Sequence, residues 1–115
     1  PDPLNLPTDA PRPPVKVYDG ATFTYEFDPD VVKRLKRFAS EKRVSLFSLV
    51  FTAFNLFLRR ISGQHDLVVT VPTGGQSLLE NSQLVGHCVN LLPVRTIVHD
   101  DQTFSQLLLA TSSNL

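Results

Sequence analysis

Ser45-Leu46-Phe47-Ser48-Leu49-Val50-Phe51-Thr52-Ala53-Phe54-Asn55-Leu56-Phe57-Leu58-Arg59-Arg60-Ile61-Ser62-Gly63 is the stretch that decides the fold. Ser45 suits an N-cap, because its hydroxyl can accept from an orphan N–H of the first turn. Gly63 is the residue type that stops a helix in the left-handed conformation. The predicted helix therefore runs to Ile61 or Ser62. Its polar positions Ser48, Thr52, Asn55 and Arg59 recur at helical spacing as a narrow stripe, while Phe47, Phe51, Phe54 and Phe57 belong to the apolar remainder. A helix apolar over most of its circumference is expected to pack on several sides, typically against a sheet. It is the expected core element. The apolar run of residues 46–58 is too short and too interrupted for a bilayer span of about 20 residues, so no membrane partner is expected.

Upstream, Asp28-Pro29-Asp30 reads as a helix start, with Asp28 as N-cap, Pro29 at the first helical position and Asp30 at the positive end of the dipole. Val32, Leu35, Phe38 and Ala39 form its apolar stripe, ending near Lys42. Lys33, Arg34, Lys36 and Arg37 fill the rest and read as a solvated face. Residues 21–27 alternate cleanly. Phe23, Tyr25 and Phe27 point one way and Thr22, Thr24 and Glu26 the other, which predicts a strand with one buried aromatic face. Residues 1–14 hold six of the nine prolines. Proline fixes φ and removes a donor, so this segment is either an extended arm along a surface or a disordered tail.

Downstream, Gly63-Gln64-His65-Asp66 is a turn. Residues 67–71 are a continuous apolar and β-branched run suited to a strand buried on both faces, with Pro72 and Thr73-Gly74-Gly75 expected to end it. Residues 76–84 read as a loop or short helix. Residues 88–98 return to strand, with Pro93 implying a bulge or an edge position. Thr103 is the expected N-cap of a last helix within residues 103–115. The order strand, helix, helix, strand, strand, helix defines an α/β class with helices packed on a mixed sheet.

The chain of 115 residues has 11 basic and 11 acidic side chains and a formal charge of zero. No net field is available to attract nucleic acid. Cys88 is the only cysteine, which excludes an intrachain disulfide and a multi-cysteine metal site and favours a reducing, cytoplasmic setting. Opening among prolines and closing in a helix-like stretch, the chain is expected to be a piece of something larger.

No nucleophile, base and orienter assemble along the sequence. His87 and Cys88 are neighbours in a strand and face opposite ways, so Cys88 reads as a small core hydrophobe. His65 and His99 each precede an Asp in turn-like contexts and read as solvated. These isolated histidines lack zinc-ligand spacing. Thr73-Gly74-Gly75-Gln76 lacks the length and the Lys of a phosphate loop. The stretch Val85-Gly86-His87-Cys88-Val89-Asn90-Leu91-Leu92-Pro93-Val94-Arg95 is different, because it sets one amide and one guanidinium in an apolar strand. Five residues apart, Asn90 and Arg95 face opposite sides unless a bulge intervenes. An unpaired buried amide would cost on the order of 1–3 kcal/mol, so Asn90 needs a partner. A sheet-edge hydrogen bond and a place in a substrate channel are both open to it. Arg95 reads as an ion-pair former.

Four stretches resemble the condensation domains of nonribosomal peptide synthetases. They are Leu4-Asn5-Leu6-Pro7-Thr8-Asp9-Ala10-Pro11-Arg12-Pro13-Pro14, Val44-Ser45-Leu46-Phe47 with the helix ending Ile61-Ser62-Gly63-Gln64-His65-Asp66, Leu67-Val68-Val69-Thr70-Val71-Pro72-Thr73-Gly74-Gly75-Gln76, and Val85 to Arg95. The last matches the family's Gly-x-x-Val-Asn-x-x-x-x-Arg signature. The resemblance implies half of a chloramphenicol acetyltransferase-like fold, in which two subdomains form a V around a tunnel. Residues 1–20 would be the proline-rich linker and residues 21–115 part of the C-terminal subdomain.

By the same resemblance, carrier proteins deliver acyl or aminoacyl groups on phosphopantetheine arms, and the acceptor amine attacks the donor thioester to form an amide. The family's catalytic motif, two His, three residues, then Asp-Gly, belongs to the first half and does not occur in this sequence. The resemblance assigns Asn90, with Gly86 and His87, to the tunnel wall and Arg95 to a structural ion pair. His87-Cys88 replaces the family's usual aromatic pair, and Leu91 its usual Thr. Val89-Asn90 argues against an epimerisation domain, and no paired-Asp motif of the heterocyclising branch is visible.

The implied partners are the first half of the domain, carrier proteins and adjacent synthetase domains. A homodimer through the apolar face left open is also expected. Two other readings stand beside this one. The first is a non-catalytic module docking an acidic carrier through Lys33, Arg34, Lys36 and Arg37. The second is a stand-alone CoA- or thioester-dependent acyltransferase using His87.

Overall fold

The computed structural model describes residues 1–11, 13–74 and 89–115. The elements in order are α1 (Pro29–Lys42), α2 (Leu46–Ser62), β1 (Asp66–Gly74), β2 (Val89–Ile97) and α3 (Phe104–Ser113). Each helix begins where its cap dictates. The Asp28 carboxylate accepts from the Asp30 N–H at 2.7 Å, with Pro29 behind it. Ser45 Oγ accepts from the Ser48 N–H at 2.9 Å. Thr103 and Gln106 form a reciprocal capping box at the start of α3. The ends are equally local, with α2 stopping at Gly63 with φ 73°. α1 stops at Arg43 with φ 56°, a left-handed position that favours glycine.

β1 and β2 pair antiparallel in unbroken register, from Asp66 opposite Ile97 to Gly74 opposite Val89. Pro93 sits opposite Thr70 without a bulge. Among the described residues the sheet has only these two strands, so every strand is an edge and proline is tolerated. For the same reason Pro72 does not end β1 but lies inside it, opposite Leu91.

Two core clusters meet at α3. Leu107 joins Leu58, Leu67 and Val98, while Leu108, fully buried, joins Ala39 and Leu49. Adjacent residues on one helix thus tie the hairpin side to the α1 side. A fully buried leucine contributes about 1.5–3 kcal/mol.

Three expectations are corrected. Among the described residues the sheet is a two-stranded antiparallel hairpin, and residues 21–27, expected as a strand, are not part of it. Phe23 is 90% exposed and Tyr25 and Phe27 are exposed beside it, because no described strand offers them a ladder. β1 is buried on one face only, since the helices cover the Leu67 side while Val68 and Thr70 remain exposed.

The third correction concerns α2, expected to pack on several sides, which instead leaves an apolar face exposed. Its narrow polar stripe faces inward, with Ser48, Thr52 and Asn55 all buried, while Phe47, Val50, Phe54 and Phe57 are exposed. The buried polar groups bond back to their own helix. Thr52 Oγ1 donates to the Ser48 carbonyl at 2.7 Å and Asn55 Nδ2 to the Phe51 carbonyl at 2.8 Å. That local pairing lowers the cost of turning the stripe inward.

Candidate functional site

The signature strand is β2, and its period of two places its polar residues on opposite faces. Asn90 stands opposite Thr73, on the face that carries Leu67, Val69 and Val94 toward the helices. The hairpin runs past the helices at this end, so Asn90 is exposed. Its Oδ1 accepts from the Leu91 N–H at 2.9 Å, and Thr73 Oγ1 donates to its carbonyl in a long 3.4 Å bond. The amide therefore has a sheet-edge partner while its face stays open. Gly86, His87 and Cys88 lie outside the described residues, as does the expected loop or helix of residues 76–84.

Arg95 occupies the other face. Its Nε and Nη2 donate to Oδ1 and Oδ2 of Asp66, each at 2.8 Å. The hydrogen bonds from Arg95 hold the Asp66 carboxyl below its ordinary value, and the carboxylate in turn raises the guanidinium's. With both prongs of the fork used and the face opposed, Arg95 and Asn90 cannot grip one ligand together.

On α1, Lys33 pairs with Asp30 at 3.2 Å and Arg37 with Glu41 at 3.7 Å, both exposed. Arg34 and Lys36 are exposed, and among the described residues they form no ion pair. Among the described residues no group of three or more His, Cys, Asp or Glu is placed to hold a metal. No single described helix is long and apolar enough to cross a membrane.

Two arrangements escaped the sequence reading. Arg59, the last polar residue of the α2 stripe, reaches Asp100 at 2.8 Å and His65 Nε2 at 3.1 Å. His65 Nδ1 lies 2.9 Å from the Val98 carbonyl and 3.3 Å from Arg59 Nε, so the imidazole is held between the two. The Val98 N–H completes the knot by donating to the His65 carbonyl at 2.8 Å. Beside this knot a cavity of about 530 Å³ opens between α2 and α3, lined by Leu56, Phe57, Arg60, His99 and Phe104. The other arrangement is a set of buried oxygens without a hydrogen-bond partner among the described residues, Asn55 Oδ1 and Thr111 Oγ1, on two helices that pack together. Only Asn55 carried a sequence signal, its place on the polar stripe.

The fold and the β2 signature define the class: the chain belongs to the condensation-domain family, whose model matches residues 2–115. Among curated relatives, it is 36% identical over 105 residues to gramicidin S synthase 2 of Brevibacillus brevis, covering 91% of this chain. It is 33% identical over 111 residues to tyrocidine synthase 3 of Brevibacillus parabrevis, covering 96% of this chain. The chain spans about 2% of the length of each of these synthases. Among solved structures, a four-domain nonribosomal peptide synthetase bound to AMP and glycine superposes with a TM-score of 0.88 at 26% identity, over 95% of this chain and 8% of that one. The first condensation domain of the CDA synthetase gives 0.63 at 26% identity, over 75% of this chain and 19% of that one. These neighbours place the hairpin and helices in the chloramphenicol acetyltransferase-like α/β fold.

Proposed function

We propose that this chain is one wall of an amide-forming site in a peptide synthetase, working with a second half that supplies the catalytic histidine. The observation that carries this reading is the match of residues 2–115 to the condensation-domain family together with the 0.88 superposition on a synthetase. In the reaction, the amine of a carrier-bound aminoacyl group attacks the thioester carbonyl of a second carrier-bound group. The C–N bond forms, the C–S bond breaks, the amine's proton is removed by a base, and the thiol of the phosphopantetheine arm leaves. Asn90, on an open face with its Oδ1 engaged by the Leu91 N–H, is suited to orient a passing amide or thioester through its Nδ2 donors. Arg95 acts indirectly, by locking the hairpin to Asp66.

The test is amide formation from carrier-bound donor and acceptor thioesters. The 115 residues alone are expected to give no turnover, and the complete domain containing them is expected to turn over and to lose activity with Asn90→Ala. Turnover by the isolated chain would overturn the reading.

A docking role for α1 has its own support, because Arg34 and Lys36 are exposed cations without an internal partner among the described residues. Reversing Lys33, Arg34 and Lys36 to Glu is expected to weaken binding of an acidic carrier protein at low salt, where exposed charges are least screened. Unchanged affinity would reject the role.

A further inference from the structure

The proline arm is fastened to the body at Gln64, and the fastening has the form of a peptide-recognition site. Gln64 Oε1 accepts from the Asn5 N–H at 2.7 Å, and Gln64 Nε2 donates to the Pro3 carbonyl at 3.1 Å. One carboxamide therefore brackets Leu4 from both sides. Leu4 itself packs on the core cluster of Leu58, Leu67, Val98 and Leu107. Leu6, two residues on, is not part of either core cluster.

Gln64 is held for this task. Gly63 turns the chain at the end of α2, and the Gln64 N–H donates to Ser62 Oγ at 3.1 Å, whose own hydroxyl donates to the Leu58 carbonyl at 2.7 Å. The chemistry also suits a proline-rich ligand. With no N–H on Pro3 or Pro7, the arm cannot join a sheet by a regular ladder. It can still offer one carbonyl and one N–H around a non-proline residue, and its restricted φ lowers the entropy lost on docking.

We propose that Gln64 and the niche beside Leu58, Leu67, Val98 and Leu107 form a clasp for an extended peptide, and that its occupant is the chain's own Pro3-Leu4-Asn5. The clasp reads two backbone groups without regard to sequence and one apolar side chain in a pocket, the division of labour common to strand-like peptide recognition. It converts the arm from a loose tail into a strap with a fixed first point. It does not depend on the amide-forming reading.

Amide hydrogen exchange on the full 115-residue chain tests it. In Gln64→Ala the Asn5 N–H is expected to exchange about 5–10-fold faster, the ratio for one hydrogen bond, while the Val98 N–H keeps its protection. Gln64→Glu retains the acceptor but not the donor and is expected to fall between. In Leu4→Ser the arm is released, and added acetyl-Asp-Pro-Leu-Asn-Leu-Pro-amide is expected to shift the Gln64 side-chain resonances saturably. The same peptide with Ser in place of its first Leu is expected to leave them unmoved. Unchanged Asn5 exchange in Gln64→Ala overturns the clasp. Should that variant fail to fold, the peptide titration of Leu4→Ser decides alone, and no shift, or equal shifts with both peptides, overturns it.

Discussion

Asp66 and Arg95 face each other diagonally across the hairpin, each carboxylate oxygen 2.8 Å from a guanidinium nitrogen. Asp66 is the first residue of β1 and Arg95 lies near the end of β2, so this fork pins the hairpin at its root, next to the core. Planar two-point pairing fixes orientation in a way a lysine could not.

The fork predicts an acid dependence. Pairing holds the Asp66 carboxyl below its ordinary value, so its contribution to stability is fully present above about pH 4, the unfolded value. It is lost as pH falls through the lower folded value. Thermal melts of the chain and of Asp66→Asn are expected to differ by a constant amount near neutrality and to converge on acidification. A gap that widens on acidification would contradict the pairing.

The inward stripe of α2 predicts an unusual sign. Asn55 is wholly buried and its Oδ1 has no partner among the described residues. Such an oxygen keeps its desolvation cost of about 1–3 kcal/mol without return. Asn55→Leu removes that cost at similar size, so it is expected to raise stability by about 1 kcal/mol in urea unfolding. Thr52→Val, where the hydroxyl is bonded, is expected to be nearly neutral or mildly destabilising. A loss of more than about 1 kcal/mol in Asn55→Leu would mean that the oxygen has a partner.

These contrasts mark what the sequence made legible. Caps and stops act within a few residues, so Asp28, Ser45, Gly63 and Thr103 could be read directly, as could the opposed faces of Asn90 and Arg95. Which side of α2 is buried could not, because hydropathy sends a polar stripe to solvent and is blind to Thr52 and Asn55 bonding back to their own helix. Alternation told which residues of 21–27 share a face, but a strand also needs a neighbour. The Arg59–Asp100 contact and the Gln64 clasp join positions 41 and about 60 residues apart, with no local pattern to announce them.

The helix ends give a matched pair of predictions. Arg43 holds a left-handed φ of 56° at the end of α1, a conformation that costs a side-chain-bearing residue about 1–2 kcal/mol. Arg43→Gly is expected to stabilise the chain by up to about 1 kcal/mol after the entropy glycine adds to the unfolded state. Thr103→Ala removes one half of the capping box and is expected to cost about 1 kcal/mol. Chemical denaturation of both variants checks the signs.

The outward face of α2 separates folding from association. Phe54 and Phe57 are 45% and 55% exposed, while Leu58, their neighbour on the same helix, is 5% exposed. Leu58 packs on Leu67, Val98 and Leu107, so Leu58→Ala is expected to cost about 2–5 kcal/mol. Phe54 and Phe57 leave about half of their apolar area in water, so Phe54→Ser and Phe57→Ser are each expected to cost less than Leu58→Ala, about 1 kcal/mol. A contiguous apolar patch of this kind favours association, and Phe47 and Val50 extend it along the helix. Sedimentation at high concentration is therefore expected to show self-association in the unmodified chain and a higher monomer fraction in the double serine variant. A clean monomer before any substitution would place these aromatics outside any contact between copies.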